Sequence, residues 1–351
     1  MRITANQLTM LRIVSLPIPC ILLYGGMASK LAALFLFGVL AFTDYLDGVL
    51  ARRHGTTPFG TLFDPIADKI FITVVYIPFV QLGYIPLWTA VLLFLREFLI
   101  TEMRRLLSQK KLELRVTELA KSKTTLQMAG AAFILLAYMI TDRILILSLF
   151  SLPLLGSLII IVIGLIRKRS ISHRIVLALS CFTYILVIRL FFTPSWSAFL
   201  YMLVIIGFTY ASGLQYVLVS YPVWPEIPGY PLRAAMRLVS GFLVPMVALV
   251  MLHFVPRLSW MAILILSFEF ASQGLDTWVS TMGREEKRKD WLKHAVLIPI
   301  ALAVGVAFLI FTETGVMAVA FLCTALVLST LYMAADFYGH RKLLITGMNP
   351  D

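Results

Sequence analysis

Apolar residues run through this chain in stretches of about twenty, separated by short polar segments, from one end to the other. A helix needs about 20 mostly apolar residues, each rising ~1.5 Å, to cross a bilayer. On that measure the pattern predicts twelve spans, near 11–27, 31–50, 68–83, 86–104, 124–141, 144–166, 174–192, 197–220, 234–255, 259–281, 294–311 and 315–336. The fold class expected is all-α, a polytopic helical membrane protein. Ahead of the first span, Asn6, Thr9 and Arg12 recur at i, i+3 and i+6, which predicts an amphipathic helix in the interface.

The connections test the count. Basic clusters sit at Arg52, Arg53, His54 and Lys69, then between Arg104 and Lys123, at 167–174, at Arg233 and Arg237, at 284–293 and at Arg341 and Lys342. The alternate connections, such as QLGYIP and FTPSWS, carry almost no charge. Alternation of this kind places the basic side and both termini in the cytoplasm. The expected location is the cell (inner) membrane, with multiple passes. The basic stretch RKRSISHR divides the chain into six spans and six spans, hence a first domain at 1–172 and a second at 173–351.

Composition agrees with that picture. Of 351 residues, 60% are hydrophobic and 14% are charged, and the mean hydropathy is +0.92. A soluble domain carries about 25% charged residues, so soluble enzymes and disordered tails are excluded. The net charge of +12 belongs to the short juxtamembrane clusters, and no nucleic-acid partner is expected. Cys20, Cys181 and Cys323 lie apart in apolar runs and are expected as buried small hydrophobes.

Chemistry concentrates at residues 43–69, TDYLDGVLARRHGTTPFGTLFDPIADK. Asp44 and Asp47, then Asp64 and Asp68, form two pairs at the cytoplasmic ends of consecutive spans, each pair on one helix face. Four clustered carboxylates repel one another and are costly near lipid. Divalent cations remove that cost, and an all-oxygen donor set favours hard ions such as Mg²⁺, Mn²⁺ or Ca²⁺. A set of four can hold two metals, an arrangement suited to displacement at phosphorus. Gly48, Ala51 and Gly60 leave room beside the acidic faces for a nucleotide, and Arg52 can neutralise a diphosphate. Pro65 marks a helix start or kink. The rival reading pairs the aspartates with Arg52, Arg53 and Lys69 for structure alone.

The string D-x2-D-G-x2-A-R-x7-G-x3-D-x3-D, here Asp44, Asp47, Gly48, Ala51, Arg52, Gly60, Asp64 and Asp68, resembles the signature of the CDP-alcohol phosphatidyltransferases. The resemblance implies that the first three aspartates bind two metals, Mg²⁺ or Mn²⁺. It implies that Asp68 lies near the metals and is the general base. It further implies a CDP-linked lipid donor, CMP as leaving group and a homodimer. NQLTMLR, FDPIADK, LREFLITEMR and ELAKSKTTLQM are similar to elements of the family's phosphatidylglycerophosphate synthase branch, with Ala120 replacing a glycine. That finer likeness covers roughly 1–170 and implies CDP-diacylglycerol as donor and glycerol 3-phosphate as acceptor. It also implies that Arg96, Arg104, Lys121 and Lys123 form the pocket for the acceptor's phosphate. A doubly charged acceptor calls for such cations, whereas an uncharged alcohol does not.

Alternatives stay open on sequence alone. Arg96 and Glu97 can be a structural ion pair inside an apolar run, and Arg105, Lys110 and Lys111 can be topology signals only. The acceptor can be inositol phosphate or another polar alcohol. Prenyl transfer needs a second aspartate-rich motif, which Asp276 alone does not supply. In the second half, Glu269, Gln273 and Asp276 form a polar stripe that lines a site or joins two helices. A transporter or lipid-binding role is the non-enzymatic alternative for that half.

Overall fold

The computed structural model describes residues 5–54, 58–109, 118–140, 142–166, 183–222, 249, 256–281 and 315–341. Among them the regular structure is helical. In chain order the helices are α1 (Ala5–Ser15), α2 (Pro17–Leu22), α3 (Met27–His54), α4 (Pro58–Gln81), α5 (Leu87–Gln109), α6 (Glu118–Met139) and α7 (Arg143–Ile166). They continue with α8 (Pro194–Ser220), α9 (Ser259–Thr281) and α10 (Gly315–Gly339). Residues 183–191 are also helical. The expected spans at 234–255 and 294–311 lie outside the described residues, residue 249 excepted.

The expected first span is not one helix. Pro17 cannot donate to the ladder of α1, so a new helix starts there with Pro17 in its first turn. Arg12 is not interfacial either: its side chain is buried. Pro65 does not break α4, which runs from Pro58 to Gln81 through both Pro65 and Pro78. A proline inside a helix removes one backbone bond, and packing of α1, α5 and α9 along α4 holds the helix together here. Asp64 and Asp68 therefore share one unbroken helix.

The end of α4 is built by a glycine. Gly83, at φ +70°, lets its N–H reach Val80 O at 3.1 Å and lets Tyr84 N–H reach Phe79 O at 2.8 Å. This pair of bonds satisfies carbonyls that α4 leaves open and turns the chain into α5. At its other end α8 begins on Thr193, whose hydroxyl accepts from Trp196 N–H, with Pro194 in the first turn.

The core surrounds α4, whose Phe71, Val75, Tyr76, Ile77 and Phe79 are buried. α1 packs on α3 and α4, while α9 packs on α4, α5 and α10. α8 packs on α5 and α6. Helices from both predicted halves thus share one core. Three described stretches are long and apolar enough to cross a membrane: 144–164, 194–218 and 322–339. α7 leaves Ile144, Leu152 and Ile159 more than half exposed. Such a face suits lipid as its solvent, as in the helices of a membrane protein.

Of the predicted polar stripe on α9, Glu269 joins two helices, and Ser272 beside it does the same. Ser329 on α10 donates to Glu269 Oε1 at 3.4 Å, and Ser272 donates to Asp336 Oδ2. Cys20 is buried as expected, Cys323 is exposed on α10, and Cys181 lies outside the described residues. The apolar surroundings of a membrane helix make an outward-facing cysteine inexpensive, which is why Cys323 departs from the buried expectation.

Candidate active site

α3 and α4, the two helices that carry the acidic motif, touch through an aromatic contact. Phe37 on α3 and Phe71 on α4 meet edge to face, with ring centroids 5.6 Å apart. Seven residues make about two helical turns. Asp44 lies two turns beyond Phe37, and Asp64 lies two turns before Phe71, toward the same ends of the helices. Asp44, Asp47, Gly48, Ala51 and Arg52 belong to α3, but their side chains lie outside those described. Gly60 is half-buried in the first turn of α4.

Asp64 and Asp68 are one turn apart on α4 and half-buried. Both are met by α1. Thr9 donates its hydroxyl proton to Asp64 Oδ1 at 2.9 Å. Arg12 places Nη1 3.6 Å from Asp68 Oδ1. Thr9 and Arg12 are themselves 1% exposed, so α1 closes over the carboxylates. Sequence reasoning missed both roles. The i, i+3, i+6 spacing predicts a polar face, and that face exists, but it is turned toward α4 instead of the membrane surface. The NQLTMLR likeness was the signal available.

A second polar cluster lies on α5 and α6. Arg96 is 3% exposed, and its Nη1 donates to Glu97 Oε1 at 3.3 Å. Its Nε donates to Thr209 O and its Nη2 to Ser212 Oγ, each at 3.0 Å. Glu97 also pairs with Lys123. Burial pushes the Lys123 ammonium below its ordinary pKa, and the Glu97 carboxylate opposes that shift. Arg104 is exposed, and its Nη2 donates to Tyr216 OH at 3.1 Å. Lys69 donates to Thr101 Oγ1 at 2.6 Å, and Thr101 donates to Glu97 O, which ties α4 to α5 between the two clusters. Arg105 pairs with Glu102 on its own helix. The side chain of Lys121 lies outside those described.

The structure therefore joins Arg96, Lys123 and Glu97, and sets Arg104 two turns further along α5. Thr209, Ser212 and Tyr216 are the partners that sequence reasoning did not find. They lie more than 110 residues from the cations they hold, and no local pattern marks them. Among the described residues, no group of three or more His, Cys, Asp or Glu converges as a metal site. The donors at the acidic face, Asp64 and Asp68, are hard carboxylate oxygens that fit Mg²⁺ or Mn²⁺.

Fold and site together define a helical membrane protein with two carboxylates on one face of α4 and a buried cation cluster on α5 and α6. Residues 2–154 match the sequence profile of the CDP-alcohol phosphatidyltransferases. A CDP-diacylglycerol–glycerol-3-phosphate 3-phosphatidyltransferase from Rickettsia typhi is 38% identical over 134 residues, covering 37% of this chain and 75% of the relative. One of the same name from Escherichia coli is 33% identical over 135 residues, covering 36% and 74%. A probable phosphatidylglycerophosphate synthase from Mycobacterium tuberculosis is 42% identical over 105 residues, covering 28% and 50%. No solved structure matches the chain. The chain belongs to the CDP-alcohol phosphatidyltransferase family.

Proposed function

We propose that the protein transfers a phosphatidyl group from CDP-diacylglycerol to the hydroxyl of glycerol 3-phosphate, releasing CMP. The observation that carries this reading is the complete acidic signature, with Asp64 and Asp68 side by side on α4, next to a cation cluster suited to a phosphorylated acceptor. The relatives named for this reaction support it.

In this reading Asp68 takes the proton of the acceptor hydroxyl. The freed oxygen attacks the phosphorus that bears the lipid, the bond from that phosphorus to the bridging oxygen breaks, and CMP leaves with the bond's electron pair. Asp44, Asp47, Asp64 and Asp68 would hold two Mg²⁺ or Mn²⁺ ions. When bound, such ions stabilise charge on the diphosphate and on the departing CMP. Gly48, Ala51, Arg52 and Gly60 receive the nucleotide and diphosphate. Arg104, Lys121 and Lys123 receive the acceptor's phosphate, and Arg96 holds Glu97 and so fixes Lys123. Thr9 and Arg12 orient the two carboxylates of α4.

We further propose twelve spans in the inner membrane, with both termini and the site on the cytoplasmic side, and a homodimer. In this organisation residues 1–172 carry the reacting groups and 173–351 form the second unit. Purified protein, CDP-diacylglycerol and a panel of alcohols test the function by CMP release. Turnover with glycerol 3-phosphate is expected. Turnover with uncharged alcohols only would overturn the acceptor assignment.

A further inference from the structure

α8 lies beyond the stretch that matches the family, yet it grips two of the three arginines of α5, Arg96 and Arg104. Thr209, Ser212, Gly213 and Tyr216 fall at i, i+3, i+4 and i+7, one face of a helix. That face meets Arg96, Ile100 and Arg104, which are spaced by four on α5. Ser212 serves two partners at once. It donates to Thr209 O at 2.8 Å and accepts from Arg96 Nη2 at 3.0 Å. Thr209 O in turn accepts from Arg96 Nε. The planar guanidinium is thereby fixed in orientation, because two of its nitrogens are read by two adjacent acceptors.

Tyr216 does the same for Arg104. Its ring centroid is 5.1 Å from the guanidinium carbon, and its hydroxyl accepts from Nη2. Tyr216 is 5% exposed, so the contact is held by a side chain that is itself packed. Gly213 makes the approach possible. A methyl there would stand 3.1 Å from Ile100 Cδ1 and 3.3 Å from Arg96 Nε. Tyr210 supplies a contrast on the same helix pair, since its hydroxyl donates to Leu92 O.

We infer that α8 completes the acceptor subsite, with Ser212 and Tyr216 as positioning residues that set Arg96 and Arg104 for an anionic acceptor. This rests on the acceptor reading above. Arg96 then carries its orientation through Glu97 to Lys123, and Arg104 is presented directly. α8, from the second half, is thus part of the site's construction.

The test uses the full-length protein in detergent, with KM measured separately for glycerol 3-phosphate and CDP-diacylglycerol. A hydrogen bond to a charged group is strong enough that its loss from either variant, Ser212→Ala or Tyr216→Phe, is expected to raise the acceptor KM about five- to tenfold. The donor KM should stay within about twofold, since α8 packs on α5 and α6. Ser212→Thr, which keeps the hydroxyl, should return the acceptor KM toward the parent value. Tyr210→Phe should leave both constants unchanged. Equal effects on both substrates, or an acceptor effect from Tyr210→Phe as large as that from Ser212→Ala, would reduce α8 to packing and overturn the inference. So would an unchanged acceptor KM in both Ser212→Ala and Tyr216→Phe. If the parent protein uses a different phosphorylated alcohol, the acceptor identity falls, and the same KM comparison with that alcohol decides the inference. If it uses uncharged alcohols only, both fall.

Discussion

A methyl group at Gly274 should disable the acidic face of α4 from the far side. Gly274 lies on α9, where an added Cβ would stand 2.5 Å from Ile66 Cγ1 and 2.8 Å from its Cδ1. Carbon atoms pack at about 3.5–4.0 Å, so Gly274→Ala is short of space by roughly 1 Å. Ile66 is 2% exposed and sits among Leu62, Leu275 and Trp278, so it has little room to turn away. Overpacking of this kind costs about 1–3 kcal/mol. Ile66 lies two residues from Asp64 and two from Asp68, so relief by movement of α4 shifts both carboxylates. A misplacement of about 1 Å at a reacting group can lower the rate about a hundredfold. Gly274→Ala should therefore lower the unfolding temperature in detergent and cut CMP release by about ten- to a hundredfold. Ile66→Ala in the same chain removes the clashing carbons and should recover part of both losses. Strict additivity of the two substitutions would show that the 66–274 contact is not the cause. Full activity and an unchanged unfolding temperature in Gly274→Ala would refute the reasoning outright.

Other expectations follow from the same geometry. Asp68→Asn should abolish transfer while leaving metal-dependent CDP binding within a fewfold, as measured by calorimetry; an equal loss of both would remove Asp68 from the role of base. Thr9→Val keeps the shape of Thr9 but removes the hydrogen bond to Asp64, so turnover should fall about three- to tenfold with the fold retained by circular dichroism. Gly130→Ala would set a methyl against Ile205 Cδ1 and 2.6 Å from Tyr201 Cε1, and should lower the unfolding temperature by loosening α6 from α8. A chain ending at residue 172 lacks Thr209, Ser212 and Tyr216, leaves buried Arg96 without two of its acceptors, and should show no transfer in a CMP-release assay.

The acidic motif was legible because helical spacing alone puts Asp64 and Asp68 on one face, and α4 delivers that face. α7 was legible because its apolar run is unbroken by charge. Arg96 and Glu97 stood out as charges inside an apolar run, but the spacing did not say what held them. Their partners come from Thr209, Ser212 and Lys123, and the packing of α8 on both α5 and α6 brings these together. The N-terminal segment misled for a related reason. A polar stripe announces that something polar lies opposite, without saying whether it is water or a carboxylate. For Thr9 and Arg12 it is Asp64 and Asp68, more than 50 residues away. Local propensity predicts a helix start or kink at Pro65, and packing around α4 overrides it.

The grip of α8 on Arg96 also sets an order of events during synthesis. Thr209 is 113 residues downstream of Arg96. At about 5–20 residues per second, a ribosome needs roughly 6–23 s to make the acceptor after making the arginine. Lys123 follows Glu97 by only 26 residues and emerges within the first few seconds of that interval. The Arg96–Glu97–Lys123 chain is therefore the arrangement that a nascent α5 can form first, and it leaves one charge shared among three groups while α8 is still being made. In the proposed arrangement of spans, α5 passes that wait with its early ion pairs already formed. Variants that weaken Lys123 should then show their largest defect in how much protein reaches the membrane, before any rate is measured.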